Sequence, residues 1–260
     1  MLNNLNFSIK KIHLILYSQI IIHVIGASVL IAPRCLYSQN NGLSEYPMYN
    51  LQNIVENSSF TIFPEGSISI DKNKTITNTS AEDLGTPVES LITLFGITKL
   101  STYKSMLYSS KKETKLTQKY FDDYSNERKN IDITASSSLV TKIRGTKVAF
   151  VKYKILKSGR KPVIGCYAFG LRDRKWLLLN NHKLNHVNIA ITHLKNSTLS
   201  SLANSKVDNI FQKKLLESVS DSNGLNIDWL SDYINNLVFN KESRKEEFDV
   251  LCTNPNWKKK

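Results

Sequence analysis

The stretch KVAFVKYKILKSGRKPVIGCYAFGLRDRKWLLL, residues 147–179, decides the fold class of this 260-residue chain. Its first ten residues alternate apolar and polar side chains, which predicts a β-strand. Ala149, Val151 and Tyr153 are predicted on one face of this strand, and Lys152 and Lys154 on the other. Ser158 and Gly159 follow, and this dipeptide predicts a hairpin turn.

A second predicted strand covers residues 162–171 and is apolar on both faces, which is typical of a central strand. A turn at residues 173–175 leads into a closing strand headed by Trp176. Lys152 and Lys154 give the first strand a charged face, and this pattern predicts a solvated edge strand.

Helices are predicted immediately before this sheet. Thr86 is a good N-cap, Pro87 suits the first helical position, and Glu89 completes a capping box. Two shorter apolar patterns predict helices over residues 100–109 and 116–130. Residues 133–143 are expected to hold one more strand. The stretch 58–70 fits either two short strands or an extended arm.

The pattern after residue 180 is mostly helical. Residues 186–194 fit either a strand or a helix, and apolar residues at steps of four predict a helix over 207–219. A strongly amphipathic helix follows, capped by Asn226 or Asp228. Its predicted apolar face consists of Trp229, Leu230, Tyr233, Ile234, Leu237 and Val238. Residues 240–247 are expected to form a solvated charged run.

The N-terminus has the pattern of an export signal. Lys10 and Lys11 precede an apolar run of about 21 residues, and a small polar stretch ends at Ser38. A run of this length also suffices to span a bilayer once. We therefore expect residues 1–38 to be a cleaved signal peptide or an uncleaved anchor. The protein is then periplasmic or secreted, or else anchored in the membrane through this segment alone.

The chain is basic, with 35 Lys and Arg residues against 22 Asp and Glu, a net charge of +13. Loss of residues 1–38 removes three basic residues and leaves 32 against 22, a net charge of +10. A basic surface attracts polyanions. For an exported protein, we expect an acidic envelope polymer or a protein partner. The lysines are spread along the chain, which also fits a role in solubility alone.

Two cysteines follow the predicted signal, Cys166 and Cys252. In an oxidising compartment they could pair and hold the C-terminal tail against the sheet. The alternative is two independent thiols, one of them buried.

The order of three short helices, a strand, a hairpin and a Trp-led closing strand resembles the nuclear-transport-factor-2-like (cystatin-like) superfold. The resemblance covers residues 84–180. It rests on the helix start at residues 86–89, the GTKVAFV entry at 145–151 and the AFGLRDRKWLL ending at 168–178. Secreted, lipoprotein-like members of this superfold share these features.

The resemblance implies an α+β fold in which helices pack on a curved antiparallel sheet, forming a cone with an open pocket. Residues 39–83 are then a linker and extended arm. The chain departs from the pattern of the superfold by adding a mostly helical C-terminal extension, residues 181–260. The superfold hosts enzymes, immunity proteins and binding modules, so the resemblance implies no single activity.

Candidate catalytic and metal-binding residues are few. His182 and His186 have the i, i+4 spacing of a helical zinc pair, with His193 further on, but Lys183 stands where zinc proteases carry glutamate. Asp122 and Asp123 could place one general base at the mouth of a cone, although a solvated helix face explains them more simply.

No nucleophile motif, phosphate loop or CxxC pair occurs, so we assign no catalytic, cofactor-binding or metal residues. Gly165 and Gly170 are expected to be packing or bulge sites within a strand. Phe150 and Tyr153 alternate with lysines as in a nucleic-acid platform. A solvated edge strand explains that pattern more simply, and no nucleic acid is expected.

Two functions remain. The first is an exported, non-catalytic binding or accessory protein of the cell envelope. The second is a small-molecule enzyme of the same fold with an acid/base residue in its pocket. A pocket lined by converging Asp, His and Tyr side chains would favour the enzyme, and a filled cone would exclude it. A weaker alternative is a membrane-anchored protein whose C-terminal helices dock on a partner.

Overall fold

The computed structural model describes residues 58–71, 75–80, 82–109, 116–128, 130–180, 182–221 and 224–256. These residues form an open, five-stranded antiparallel sheet with helices packed on both faces. The strands are β1 (Ser59–Ile62), β2 (Asp132–Ile143), β3 (Thr146–Leu156), β4 (Val163–Arg172) and β5 (Lys175–Leu178), paired in that order. The predicted α+β class is confirmed.

The helices fall on either side of this sheet in the sequence. Those before it are a 3₁₀ turn (Glu82–Leu84), α1 (Pro87–Leu94), α2 (Leu100–Ser105) and α3 (Gln118–Arg128). Those after it are α4 (His182–His193), α5 (Asn196–Asn204), α6 (Ile210–Val219), α7 (Ile227–Phe239) and α8 (Lys245–Leu251). A small ribbon of β6 (Ser220–Asp221) and β7 (Gly224–Leu225) joins α6 to α7.

Local sequence signals determine the turns and the first helix. Arg144 and Gly145 have φ values of 48° and 82°, the conformation that a two-residue hairpin turn requires. Gly159, in the predicted Ser-Gly turn, has a φ of 71°. The Thr86 hydroxyl accepts a hydrogen bond from the Glu89 amide at 3.1 Å, which confirms the predicted cap.

The first face of the sheet packs against α1–α3. The rings of Tyr153 and Tyr167 stack with their centroids 5.6 Å apart, and Phe95 meets Tyr153 edge-on at 5.2 Å. Phe169 and Trp176 are also fully buried in this cluster. The face on which the resemblance implies an open pocket is therefore filled by buried aromatic rings.

The second face of the sheet is covered by the helices that follow it. Phe150, Cys166 and Ala168 pack there against apolar residues of α4–α8. Strand β3 lies between β2 and β4, so the predicted solvated edge is wrong. Lys152 is only 3% exposed, because residues 182–252 cover the face that the lysines occupy.

The structure resolves two segments whose prediction left alternatives open, and it corrects a third. Residues 59–62 form a strand that pairs with β2, and Ile68 and Ile70 enter the core. The ambiguous segment 186–194 is helical through His193. The predicted solvated run 240–247 ends inside α8, where Glu247 is buried. Its burial depends on partners distant from it in sequence.

The predicted signal or anchor, residues 1–38, lies outside the described residues, as does the start of the predicted linker. Within the described part of the chain, no helix combines the length and apolar character needed to cross a membrane.

Candidate functional site

Helix α7 has one buried face and one outward face. Ile227, Leu230, Ile234 and Leu237 are buried against the second face of the sheet and its helices. The outward face carries Trp229, Asp232, Tyr233 and Asn236, which follow the i, i+3, i+4, i+7 spacing of one helix side.

Trp229 lies on the outward face and is 64% exposed. Its predicted place on the apolar face is wrong. Successive helical residues point about 100° apart, and the buried stripe is centred on Leu230 and Ile234. Asn226 caps the helix by accepting a hydrogen bond from the Trp229 amide at 3.2 Å, as predicted. The ring is therefore presented from the first turn of a well-defined helix.

A polar network beside Trp229 ties α7 to α8. Arg244 Nε donates to Glu247 Oε2 at 2.7 Å, and Nη1 donates to Asn236 Oδ1 at 3.2 Å. The same guanidinium lies over the Tyr233 ring, 5.3 Å from its centroid. Tyr233 in turn donates its hydroxyl proton to Glu247 Oε1. Arg244, Tyr233 and Glu247 each bond to the other two, and Asn236 is held by Arg244.

The network holds its members in single protonation states. Burial, together with the charge and hydrogen bond of Glu247, raises the pKa of the Tyr233 phenol. Burial also acts to raise the pKa of Glu247, but the hydrogen bonds from Tyr233 and Arg244 outweigh it and lower that pKa. At neutral pH the phenol therefore keeps its proton and the carboxylate keeps its charge.

These groups line a shallow cleft of about 340 Å³, which we call the α7 cleft. Its lining residues are Ser218, Trp229, Asp232, Tyr233, Asn236 and Arg244. The volume lies within the range of small-ligand sites. Since Tyr233 cannot give up its proton and Glu247 is occupied by two donors, the arrangement suits binding better than proton transfer.

The sequence-predicted acid/base residues do not enter a pocket. Asp122 and Asp123 are exposed on α3. Asp122 accepts a hydrogen bond from Gln118 at 3.0 Å, and Asp123 pairs with Lys119 at 2.9 Å. Both carboxylates therefore lie on a solvated helix face.

The three candidate metal-binding histidines all lie on α4, but the two whose side chains are described have different environments. His186 is exposed, whereas His193 is buried with its Nδ1 3.3 Å from the carbonyl oxygen of Thr253. The His182 side chain lies outside the described part of the structure. Among the side chains that are described, no group of three or more His, Cys, Asp and Glu residues is placed to hold a metal ion.

A second polar cluster lies inside the second face of the sheet. Lys152 Nζ donates to the carbonyl oxygen of Leu194 at 2.5 Å, and Cys166 sits directly opposite Lys152 on β4. Cys252 pairs with Leu194 through an isolated β-bridge. Both cysteines are free, buried thiols. Burial lowers the pKa of Lys152 to about 8 and raises that of Cys252 to about 12.

Neither this cluster nor the α7 cleft was predicted from the sequence. The burial of Lys152 could have been predicted from β4. Because β4 is apolar on both faces, both faces of the sheet had to be covered, including the face of β3 that carries Lys152. Phe150 and Tyr153, which suggested a nucleic-acid platform, are buried on opposite faces of β3, and their rings cannot stack on bases.

Comparison with known proteins does not assign the chain to a family. No protein-family model, no curated protein and no solved structure matches it. Conclusions about function therefore rest on the α7 cleft and on the sequence.

Proposed function

We propose that this chain is an exported, non-catalytic binding or accessory protein of the cell envelope, and that the α7 cleft holds its partner. One observation carries the proposal. The exposed Trp229 lies beside a network of polar side chains that hold one another in place through hydrogen bonds, and its members are Tyr233, Arg244 and Glu247. The partner is an acidic envelope polymer or a protein, toward which the net positive charge steers the molecule.

The composition of the cleft supports binding. Tryptophan, tyrosine and arginine dominate the binding energy of many interfaces, and all three line this cleft. Because Arg244 and Tyr233 are held in place before any partner arrives, little conformational entropy remains to be lost on binding. The buried aromatic rings on the first face of the sheet favour the binding role over the enzyme alternative, which needs a pocket with an acid/base residue.

The proposal includes export of the chain, and it is compatible with the resemblance to the superfold. The basic start and apolar run of residues 1–38 support export. The resemblance of residues 84–180 to the nuclear-transport-factor-2-like superfold is compatible with a binding role, since that superfold hosts binding modules as well as enzymes. The mass of the full chain recovered from an expressing cell tests cleavage, because an uncleaved anchor keeps the full mass.

A pull-down with a matched pair of variants tests the binding role. The tagged full chain, its Trp229→Ala variant and its Phe239→Ala variant are incubated with solubilised envelope fractions. Phe239 is the control because it is an exposed aromatic residue of the same helix that does not line the cleft. We expect capture of envelope material by the wild type and Phe239→Ala, and loss of capture by Trp229→Ala. Equal capture by all three chains would contradict the proposal.

A further inference from the structure

We propose that the α7 cleft binds a neutral sugar unit of the acidic envelope polymer, while basic residues outside the cleft attract the acidic units of that polymer. This inference rests on the proposed binding function and names the chemical class of the ligand. Three features of the cleft carry it: the exposed indole, the polar groups that follow along the helix, and the balance of charge.

The indole of Trp229 provides a stacking surface. An aromatic ring has a negative face that attracts weakly positive C–H groups. Sugar rings present such C–H groups on their apolar faces, and their flat shape matches an open ring. With 64% of its surface exposed, Trp229 keeps this face available at the edge of a cleft.

The polar groups of the cleft match the chemistry of hydroxyl groups. Asp232 and Asn236 follow Trp229 on the same helix side, one and two turns along. A carboxylate accepts hydrogen bonds, an amide both donates and accepts, and the Ser218 hydroxyl can do either. Sugar hydroxyls are themselves both donors and acceptors, so each of these groups finds a partner on a saccharide.

The charge of the cleft favours a neutral ligand over an anion. Arg244 is the only cation among the lining residues described, and it pairs with Glu247 at 2.6 Å. Lys214 lies 4.0 Å from the same carboxylate, so Glu247 and Asp232 together balance these two cations. Asp232 is exposed at the cleft and would repel a phosphate or carboxylate. The positive charge of the molecule lies elsewhere, so it can bring the protein to an anionic envelope while the cleft itself recognises a neutral unit.

The exposed aromatic residues of α7 do not form one apolar patch suited to a protein partner. Trp229 and Phe239 are ten residues apart, which places them about 15 Å apart along the helix and about 80° apart around it. Protein-docking patches are contiguous. A single ring beside polar groups fits a saccharide better.

Isothermal titration calorimetry of the full chain tests this inference with three defined probes. They are the β-1,4-linked hexamers of glucose and of N-acetylglucosamine, both neutral, and an acidic hexamer of galacturonic acid. The heat of binding does not depend on a tryptophan reporter, so the same titration measures the affinity of the Trp229→Ala variant directly.

We expect at least one neutral hexamer to bind the wild type and Phe239→Ala equally. We expect binding to weaken at least about tenfold in Trp229→Ala and in Asp232→Ala. Circular dichroism establishes that both variants fold, which is expected because both side chains are exposed. Failure of both neutral hexamers to bind, tighter binding of the acidic hexamer, or unchanged binding by Trp229→Ala would each overturn the inference.

The inference and the proposed function can fail separately. Captured envelope material that depends on Trp229 but is destroyed by protease and resists periodate would identify a protein partner. That outcome would overturn the saccharide inference and leave the binding function standing. Binding of a neutral hexamer without any capture from envelope fractions would support the ligand class and contradict the envelope function.

Discussion

Lys152 is the residue whose environment departs furthest from what its side chain prefers. Its ammonium lies inside the second face of the sheet with one carbonyl oxygen, that of Leu194, as its hydrogen-bond partner in the described part of the chain. Burial lowers its pKa from 10.5 to about 8. Between pH 8 and pH 10.5 the folded lysine is neutral and the unfolded lysine is charged, so unfolding takes up a proton. Below pH 8 the folded lysine is charged as well, and the full cost of burying that charge lowers the stability of the fold.

Lys152→Met is expected to stabilise the protein by about 2 kcal/mol at pH 7. The depressed pKa corresponds to a cost of about 3 kcal/mol, from which we subtract about 1 kcal/mol for the hydrogen bond lost to Leu194. The gain should shrink by about 1 kcal/mol between pH 7 and pH 9, as the folded lysine loses its charge. Urea unfolding of both chains at the two pH values measures it.

Lys154→Met is the matched control for that measurement. Lys154 lies two residues further along the same face, where its ammonium reaches Glu65 at 3.0 Å and is partly exposed. A pair of this kind contributes about 0.5 kcal/mol. A Lys152→Met variant that is less stable than wild type would show that the buried amine is needed for the fold.

The two thiols give a second prediction at this scale. Burial raises the pKa of Cys166 and Cys252, and the thiolate is the form that reacts. We expect both thiols of the folded protein to resist a disulfide reagent at pH 8 and to react fully in denaturant. Mass spectrometry of the peptides that contain Cys166 and Cys252 counts the modified thiols after blocking. A count of zero in denaturant without reductant would instead establish the disulfide that the sequence left open.

The β3–β4 pair is the element that organises the molecule, and its close packing depends on a glycine. Gly165 lies directly opposite Tyr153, whose ring covers it. A Cβ atom at residue 165 would lie 1.9 Å from the Tyr153 hydroxyl oxygen. The expectation that Gly165 is a packing site is confirmed.

Gly165→Ala is expected to destabilise the protein by about 3 kcal/mol, because Tyr153 is fully buried and cannot move aside. Thermal unfolding measures the loss. In a Tyr153→Ala background the same substitution should cost much less, since the clashing ring is absent. Equal costs in both backgrounds would show that the strain arises from the backbone and not from this pair.

Prediction from sequence succeeded where an element depends on nearby residues. The Thr86 cap, the turn at Gly159 and the Asn226 cap each rest on contacts within a few residues. Prediction failed for the orientation of α7. Its six apolar or amphipathic residues cover more than one side of the helix, so the sequence did not determine which side is buried. The neighbouring helices determine which face is buried, and they leave Trp229 outside.

At the scale of the whole molecule, the sheet lies between two helical layers, and the second layer ends in a tail pinned to α4. The Thr253 amide donates to the carbonyl of His193, whose ring contacts the Thr253 carbonyl. Burial lowers the pKa of His193 from 6.5 to about 4 despite this contact. The folded protein therefore holds the imidazole neutral where the unfolded chain protonates it.

Stability is expected to fall by about 2 kcal/mol between pH 7 and pH 5, because only the unfolded chain takes up the His193 proton in that window. Urea unfolding across this range measures the loss. His193→Gln should abolish most of it, and His186→Gln, an exposed residue of the same helix, should retain it. A similar slope in His193→Gln would assign the pH dependence to other groups.

The sequence alone determined the antiparallel strands, their turns, the helix caps and the α+β class, because alternation, glycine and capping residues act over a few positions. Only the tertiary structure decided that the lysine face of β3 is buried, that Trp229 is exposed and that Glu247 is enclosed by Tyr233 and Arg244. These outcomes depend on which distant segment covers each face. A side chain carries its own polarity in the sequence, but its burial is a property of its neighbours in space.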